Sequence, residues 1–149
     1  MKQISETEYR ELENSYLNAI YVAATPTWRI VIQIGKANSE LDALLRRHNA
    51  KNWAFVSACN PFSRPVSENE NMRQHANIID RLKCENVVFY EGSGESPTGD
   101  WEPETSLLIL NIAREAAIEL GIELEQNAIV AGEIDGRPEL VWCVSLENI

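Results

Sequence analysis

The segment NWAFVSA, Asn52 to Ala58, is apolar at nearly every position and has the length of one β-strand. A strand with two apolar faces is an interior strand of a sheet covered on both sides. SLLILNI, Ser106 to Ile112, has the same character. Two such strands commit the chain to a sheet buried between other elements. The segments around them decide how that sheet is wound.

Upstream, Ser5 and Glu8 form an S-x-x-E capping box, and Tyr9, Leu12, Tyr16 and Ala19 follow at helical spacing. IYVAA (Ile20 to Ala24) is a candidate short strand. Pro26 separates it from WRIVIQIG (Trp28 to Gly35), a β-branched strand that stops in glycine. A second helix opens at Ser39 and runs to about His48, with Leu41, Leu44 and Leu45 on one face. Downstream of NWAFVSA, Ser67 and Glu70 repeat the capping box and start a third helix to Lys83, with Met72, Ala76, Ile79 and Leu82 in helical repeat. NVVFYEG (Asn86 to Gly92) reads as a strand, and SGESPTGDWEPET (Ser93 to Thr105) as a loop punctuated by Gly and Pro. AREAAIELG reads as a helix with Gly121 as its C-cap. NAIVAGEI and ELVWCVSL, joined at Asp135-Gly136, read as a hairpin. Hairpin connections rule out a purely parallel sheet. The pattern predicts an α/β (α+β) fold, a single-domain sandwich over residues 1–149. Its sheet is mixed and mainly antiparallel, flanked by helices, in a split-βαβ arrangement.

Bulk properties agree. The 149 residues suit one domain, and 44% hydrophobic with 24% charged residues is ordinary for a globular chain. No apolar run nears the roughly 18 residues that span a bilayer. MKQISETEYRELENSY is a charged helix pattern without a signal-peptide segment, so a cytoplasmic location is expected. Cys59, Cys84 and Cys143 are odd in number and widely spaced, which supports neither a disulfide framework nor a zinc site. A net charge of −10, from 13 basic and 23 acidic residues, repels nucleic acid and anionic membrane. Arg46, Arg47, His48 and Lys51 come nearest to a basic patch, but they fall where a helix C-terminus favours cations anyway.

Short motifs carry little. REAAIELGI, Arg114 to Ile122, approaches the tail of a pyrophosphohydrolase box, whose carboxylates hold magnesium on one helix face. Ile118 replaces one required glutamate, and Ser106 and Asp100 stand where its upstream glutamate and glycine belong. Glu115 and Glu119 alone are commonplace on a solvated helix. GSGESPTGD lacks the lysine of a phosphate loop and carries Glu95 and Asp100, which repel phosphate. Cys59 and His75 can be drawn as nucleophile and base, with no orienting third group. No metal and no cofactor is assigned.

Polar residues gather instead at the ends of the apolar strands: Asn60, Ser63 and Arg64; Asn71 and Arg73; Trp101, Glu102, Glu104 and Ser106; Gln126 and Asn127. Taken singly, such residues commonly satisfy loose backbone groups. Taken in order, IGKANSELDALL, FVSACNP with the following ENENMRQ, GDWEPETSLLIL and EQNAIV resemble a bacterial family of uncharacterised proteins, the DUF3293 domain, from about Tyr16 to Val141. Two positions depart from that pattern: Cys59 stands where an aromatic commonly precedes Asn-Pro, and Thr105 where a proline commonly follows the glutamate. The resemblance makes Cys59 a poor nucleophile. It implies that Asn60, Ser63, Asn71, Arg73, Trp101, Glu104, Ser106, Gln126 and Asn127 form one constellation.

Two functions compete. In the first, the constellation binds a small anionic molecule, or acts on it without metal, the reaction then being hydrolysis or group transfer. Arg73 or Arg64 holds the anion, Glu104 beside Trp101 is the general base, and Asn60, Gln126 and Asn127 orient the ligand. In the second, the chain is a protein-interaction module anchored by exposed residues among Trp28, Trp53, Trp101 and Trp142. The polar cluster is then structural; a third reading makes the whole constellation structural without an interaction role, with Arg73 and Glu104 paired internally to pin the long loop.

Overall fold

The computed structural model describes residues 1–147. In chain order the elements are β1 (Gln3–Ile4), α1 (Glu6–Asn18), β2 (Ile20–Ala24), β3 (Arg29–Ile32), α2 (Ser39–Arg47) and β4 (Asn52–Val56). A 3-10 turn (Pro61–Ser63) leads to α3 (Glu68–Cys84), then β5 (Phe89–Glu95), β6 (Glu104–Leu110), α4 (Arg114–Glu123), β7 (Ala128–Glu133), β8 (Glu139–Trp142) and β9 (Ser145–Leu146). Strands β2 to β8 form one seven-stranded sheet in the order β3-β2-β5-β6-β4-β7-β8. Every neighbouring pair in it is antiparallel, and the parallel pairing is confined to a separate β1–β9 ribbon. The predicted class, an α+β single domain, is the one observed.

Three crossovers set the layers. The unit β4-α3-β5 brackets β6, and β6-α4-β7 brackets β4, giving two interlocked split βαβ units. β4 and β6 run in opposite directions and their units step in opposite directions, so crossovers of one hand place α3 and α4 on the same face. The unit β3-α2-β4 starts from a strand parallel to β4 but steps the other way, so the same hand places α2 on the opposite face. Packing follows suit. Ile78, Leu82, Ala117 and Leu120 meet Val56, Leu107, Ile109 and Ile129 on one face. Leu41, Leu44 and Leu45 meet Ile30, Ile32, Trp53, Phe55 and Leu108 on the other.

The α2 face is concave. The backbone N–H of Gly35, beyond one edge strand, donates to Pro138 O before the other edge strand at 2.8 Å. Asp135 N donates to Asp42 Oδ1 at 3.0 Å, and Arg46 pairs with Asp135, so α2 clasps the β7–β8 hairpin as well. Helix α1 covers the far end of this trough. Tyr9 stacks on Trp142 with centroids 4.4 Å apart, and Tyr16 meets the same indole edge-on at 6.1 Å. Among the described residues no helix is long and apolar enough to cross a membrane.

Two local expectations are corrected. SGE, read as loop, continues β5 to Glu95, leaving the loop only 96–103. Gly92 makes that pairing possible, because a Cβ there would lie 2.0 Å from Val22 O on β2. Gly121 is not the cap of α4, which runs on to Glu123 and caps at Leu124. A Cβ at Gly121 would lie 2.5 Å from Cys143 Sγ, so the glycine serves close packing of helix on sheet.

Candidate functional site

At the α1 end the concave face is not filled. One cross-strand row there runs Tyr21, Gly94, Glu104. Gly94 contributes no side chain between its two large neighbours, and a Cβ on it would meet only Tyr21 Cδ1, at 4.0 Å. The gap opens into a cavity of about 830 Å³, within the range that holds drug-sized ligands. Leu12, Ser15 and Tyr16 of α1 roof it, and Tyr21, Phe55, Ala128 and Val130 supply apolar wall. Asn60, Ser63, Val66, Met72, Trp101 and Glu102 stand around its mouth, and it continues round the strand ends to His75 and Thr105.

The segment after β4 has an unusual backbone. Asn60 (φ 47°, ψ 67°), Phe62 (φ 51°, ψ 36°) and Ser63 (φ 59°) are all left-handed. That conformation costs an L-residue about 1–2 kcal/mol; asparagine tolerates it, phenylalanine does not. The surroundings hold it in place. Phe62 N donates to Glu125 O, and Gln126 Nε2 donates to Cys59 O (3.1 Å) and Leu124 O (3.3 Å). Asn127 Nδ2 donates to Ser63 Oγ at 2.9 Å. Asn60 and Asn71 exchange two bonds, N to Oδ1 and Nδ2 to Oδ1, both at 2.9 Å. Asn60 Oδ1 also accepts from Val66 N at 3.2 Å. Strain over-determined in this way is characteristic of functional sites.

The Asn60 amide passes the network on to Glu104, donating from Nδ2 to Oε2 at 3.2 Å. Burial raises the Glu104 pKa above the ordinary carboxylate range, against the lowering effect of hydrogen bonds from Asn60 and Ser57. Ser57 Oγ donates to Thr105 O at 2.9 Å with the carboxylate also in reach. Burial, then the nearby Glu104 charge, pushes the Tyr16 phenol up to about 12; its hydroxyl lies within hydrogen-bond reach of Ser63. The phenol is therefore neutral at physiological pH. Ser106 Oγ is turned back onto Glu104 O at 2.9 Å.

Of the residues singled out in the sequence, Asn60, Ser63, Asn71, Trp101, Glu104, Ser106 and Gln126 line the cavity, with Asn127 behind Ser63. Arg64 and Arg73 do not line it. Arg73 pairs with Glu70, with two thirds (67%) of its side chain exposed. Residues four apart share a helix face; Asn71 and His75 face the cavity and Arg73, midway between them, turns outward. The expected internal Arg73–Glu104 pair is therefore absent.

The weaker motifs resolve too. Burial raises the Cys59 thiol pKa, the opposite of what a nucleophile needs, and its sulfur contacts Thr105 O at 3.6 Å. His75 Nε2 pairs with Glu91 Oε1 at 2.9 Å, leaving Nδ1 buried without a partner. Among the described residues no three of His, Cys, Asp and Glu converge to hold a metal ion. Sequence reasoning missed Tyr16, Tyr21, Ser57 and Gly94. Only the first carried a signal, a hydroxyl on the apolar stripe of α1.

Fold and site together define a small α+β domain with a ligand-sized cavity at the open end of a curled antiparallel sheet. The family model described as "Protein of unknown function (DUF3293)" matches residues 56–129, about half of the chain, and supports the family that the sequence motifs resemble. The match runs from the last residue of β4 into β7 and contains every site residue from Asn60 to Asn127. The fragment IGKANSELDALL lies outside it. No curated protein and no solved structure matches the chain.

Proposed function

We propose that the chain is a small-molecule-binding domain of the bacterial cytoplasm, whose ligand occupies the cavity beneath α1 with its polar end at Glu104. One observation carries this reading: the strained Asn60–Ser63 segment and the half-buried Glu104 carboxyl converge on the same cavity. A carboxyl with a raised pKa beside an apolar wall is suited to exchange a proton with a bound molecule, without metal. Arg64 and Arg73 stand outside the wall, so among the described residues no guanidinium lines it to hold the anionic ligand expected from the sequence. Three free cysteines, Cys59 and Cys143 buried, support a reducing compartment.

The test is a thermal-shift screen of nucleotides, amino acids, organic acids and amines against the wild-type chain and Gly94→Val. The valine projects into the cavity where only Tyr21 is near. Hits that stabilise the wild type and lose their effect in the variant are expected. Hits that persist unchanged in Gly94→Val sink the reading, as does a screen with none.

A protein-docking function is the second reading, favoured by the exposure of Val66, Met72 and Trp101 around the cavity mouth. A partner captured by the wild type and lost in Trp101→Ala, with no small-molecule hit, would move the assignment there.

A further inference from the structure

We infer that the ligand of this cavity is an organic amine, its ammonium group at Glu104 and its apolar body along Tyr21 and Phe55. The inference rests on the cavity being a ligand site and adds the chemical class. It comes from asking which hydrogen-bonding groups in the wall are already committed.

Several donors of the wall are engaged. Gln126 Nε2 donates to two backbone carbonyls, Asn71 Nδ2 to Asn60 Oδ1, and Asn60 Nδ2 to Glu104. The hydroxyls of Ser57 and Ser106 donate to Thr105 O and Glu104 O. The charge of the wall is one-sided. Glu68, Glu102 and Glu104 all line the cavity, and among the described residues no lysine or arginine does. A positive charge on the ligand answers these carboxylates.

The shape of the cavity selects among cations. Among the described residues no metal-binding cluster forms, and the space far exceeds one ion. The rings of Tyr16, Tyr21, Phe55 and Trp101 line it, and ring faces attract ammonium groups. The chain's net charge of −10 draws cations and repels anions before contact.

Three near-isosteric probes test this by calorimetry on the full chain: benzylamine, benzyl alcohol and benzoate. Benzylamine is expected to bind about tenfold or more tighter than benzyl alcohol, the scale of one charge-assisted hydrogen bond, with benzoate weakest. Glu104→Gln should erase the amine's advantage and leave the alcohol within about twofold, judged against that bond. Glu102→Gln, at the exposed mouth, gives a smaller loss and guards against a misfolded Glu104 variant. Benzoate or benzyl alcohol binding as tightly as the amine, and lost in Gly94→Val, overturns the amine class while leaving the cavity reading intact. Failure of all three probes also overturns it, and the metabolite screen then judges the cavity by itself.

Discussion

Glu104 carries a cost that its position explains. Its folded-state pKa lies above the unfolded value because burial outweighs the Asn60 and Ser57 hydrogen bonds. Such an acid keeps its proton to higher pH when folded. The stability it contributes is therefore complete below the ordinary carboxylate range and is lost as pH rises through its folded pKa. Glu104→Gln should accordingly melt higher than the wild type at pH 8, with the gap closing as pH falls toward about 4. A variant that melts lower at both pH values would mean that the hydrogen bonds outweigh burial. The same substitution is expected to weaken amine binding, so stability and binding move in opposite directions. At this scale the sequence was informative where amides cluster at element ends. Asn60, Asn71, Gln126 and Asn127 all proved to share one network. It misplaced Arg73, assigned to the site although a place near Asn71 says nothing about which side of α3 a residue occupies.

At the scale of elements, propensity and packing disagree at Gly121. Alanine is better than glycine inside a helix by about 1 kcal/mol. Yet an alanine Cβ would fall 2.5 Å from Cys143 Sγ and 3.0 Å from Ile129 Cγ2. Gly121→Ala is therefore expected to destabilise the fold by about 1–3 kcal/mol in urea titration, the usual range for overpacking. Adding Cys143→Ala should recover part of that loss, a non-additive pair. The same conflict explains the misread C-cap: glycine after a helical run signals termination, unless a neighbouring strand needs the space. β5 was shortened for a similar reason. Gly92, Ser93 and Gly94 look like loop chemistry, but two glycines are what β2 and the cavity require at those positions.

For the molecule as a whole, interleaved strands and helices with two hairpins were enough to give the class and the split βαβ units. The curl of the sheet was not legible. It shows in the backbone bond from Gly35 to Pro138, which leaves no mark on side-chain pattern. The curl makes the trough, and the trough makes α1 a roof. That roof is lightly fastened: none of residues 6–18 is fully buried, and Tyr9 and Tyr16 tie it to one indole. Segments with few buried contacts open most readily. If entry requires α1 to lift, the observed association rate should level off with rising ligand concentration instead of climbing linearly, as stopped-flow fluorescence can show. Trp142→Ala should raise that plateau. The helix, not diffusion, then sets the tempo of capture, and a bound molecule stays until the helix next lets it go.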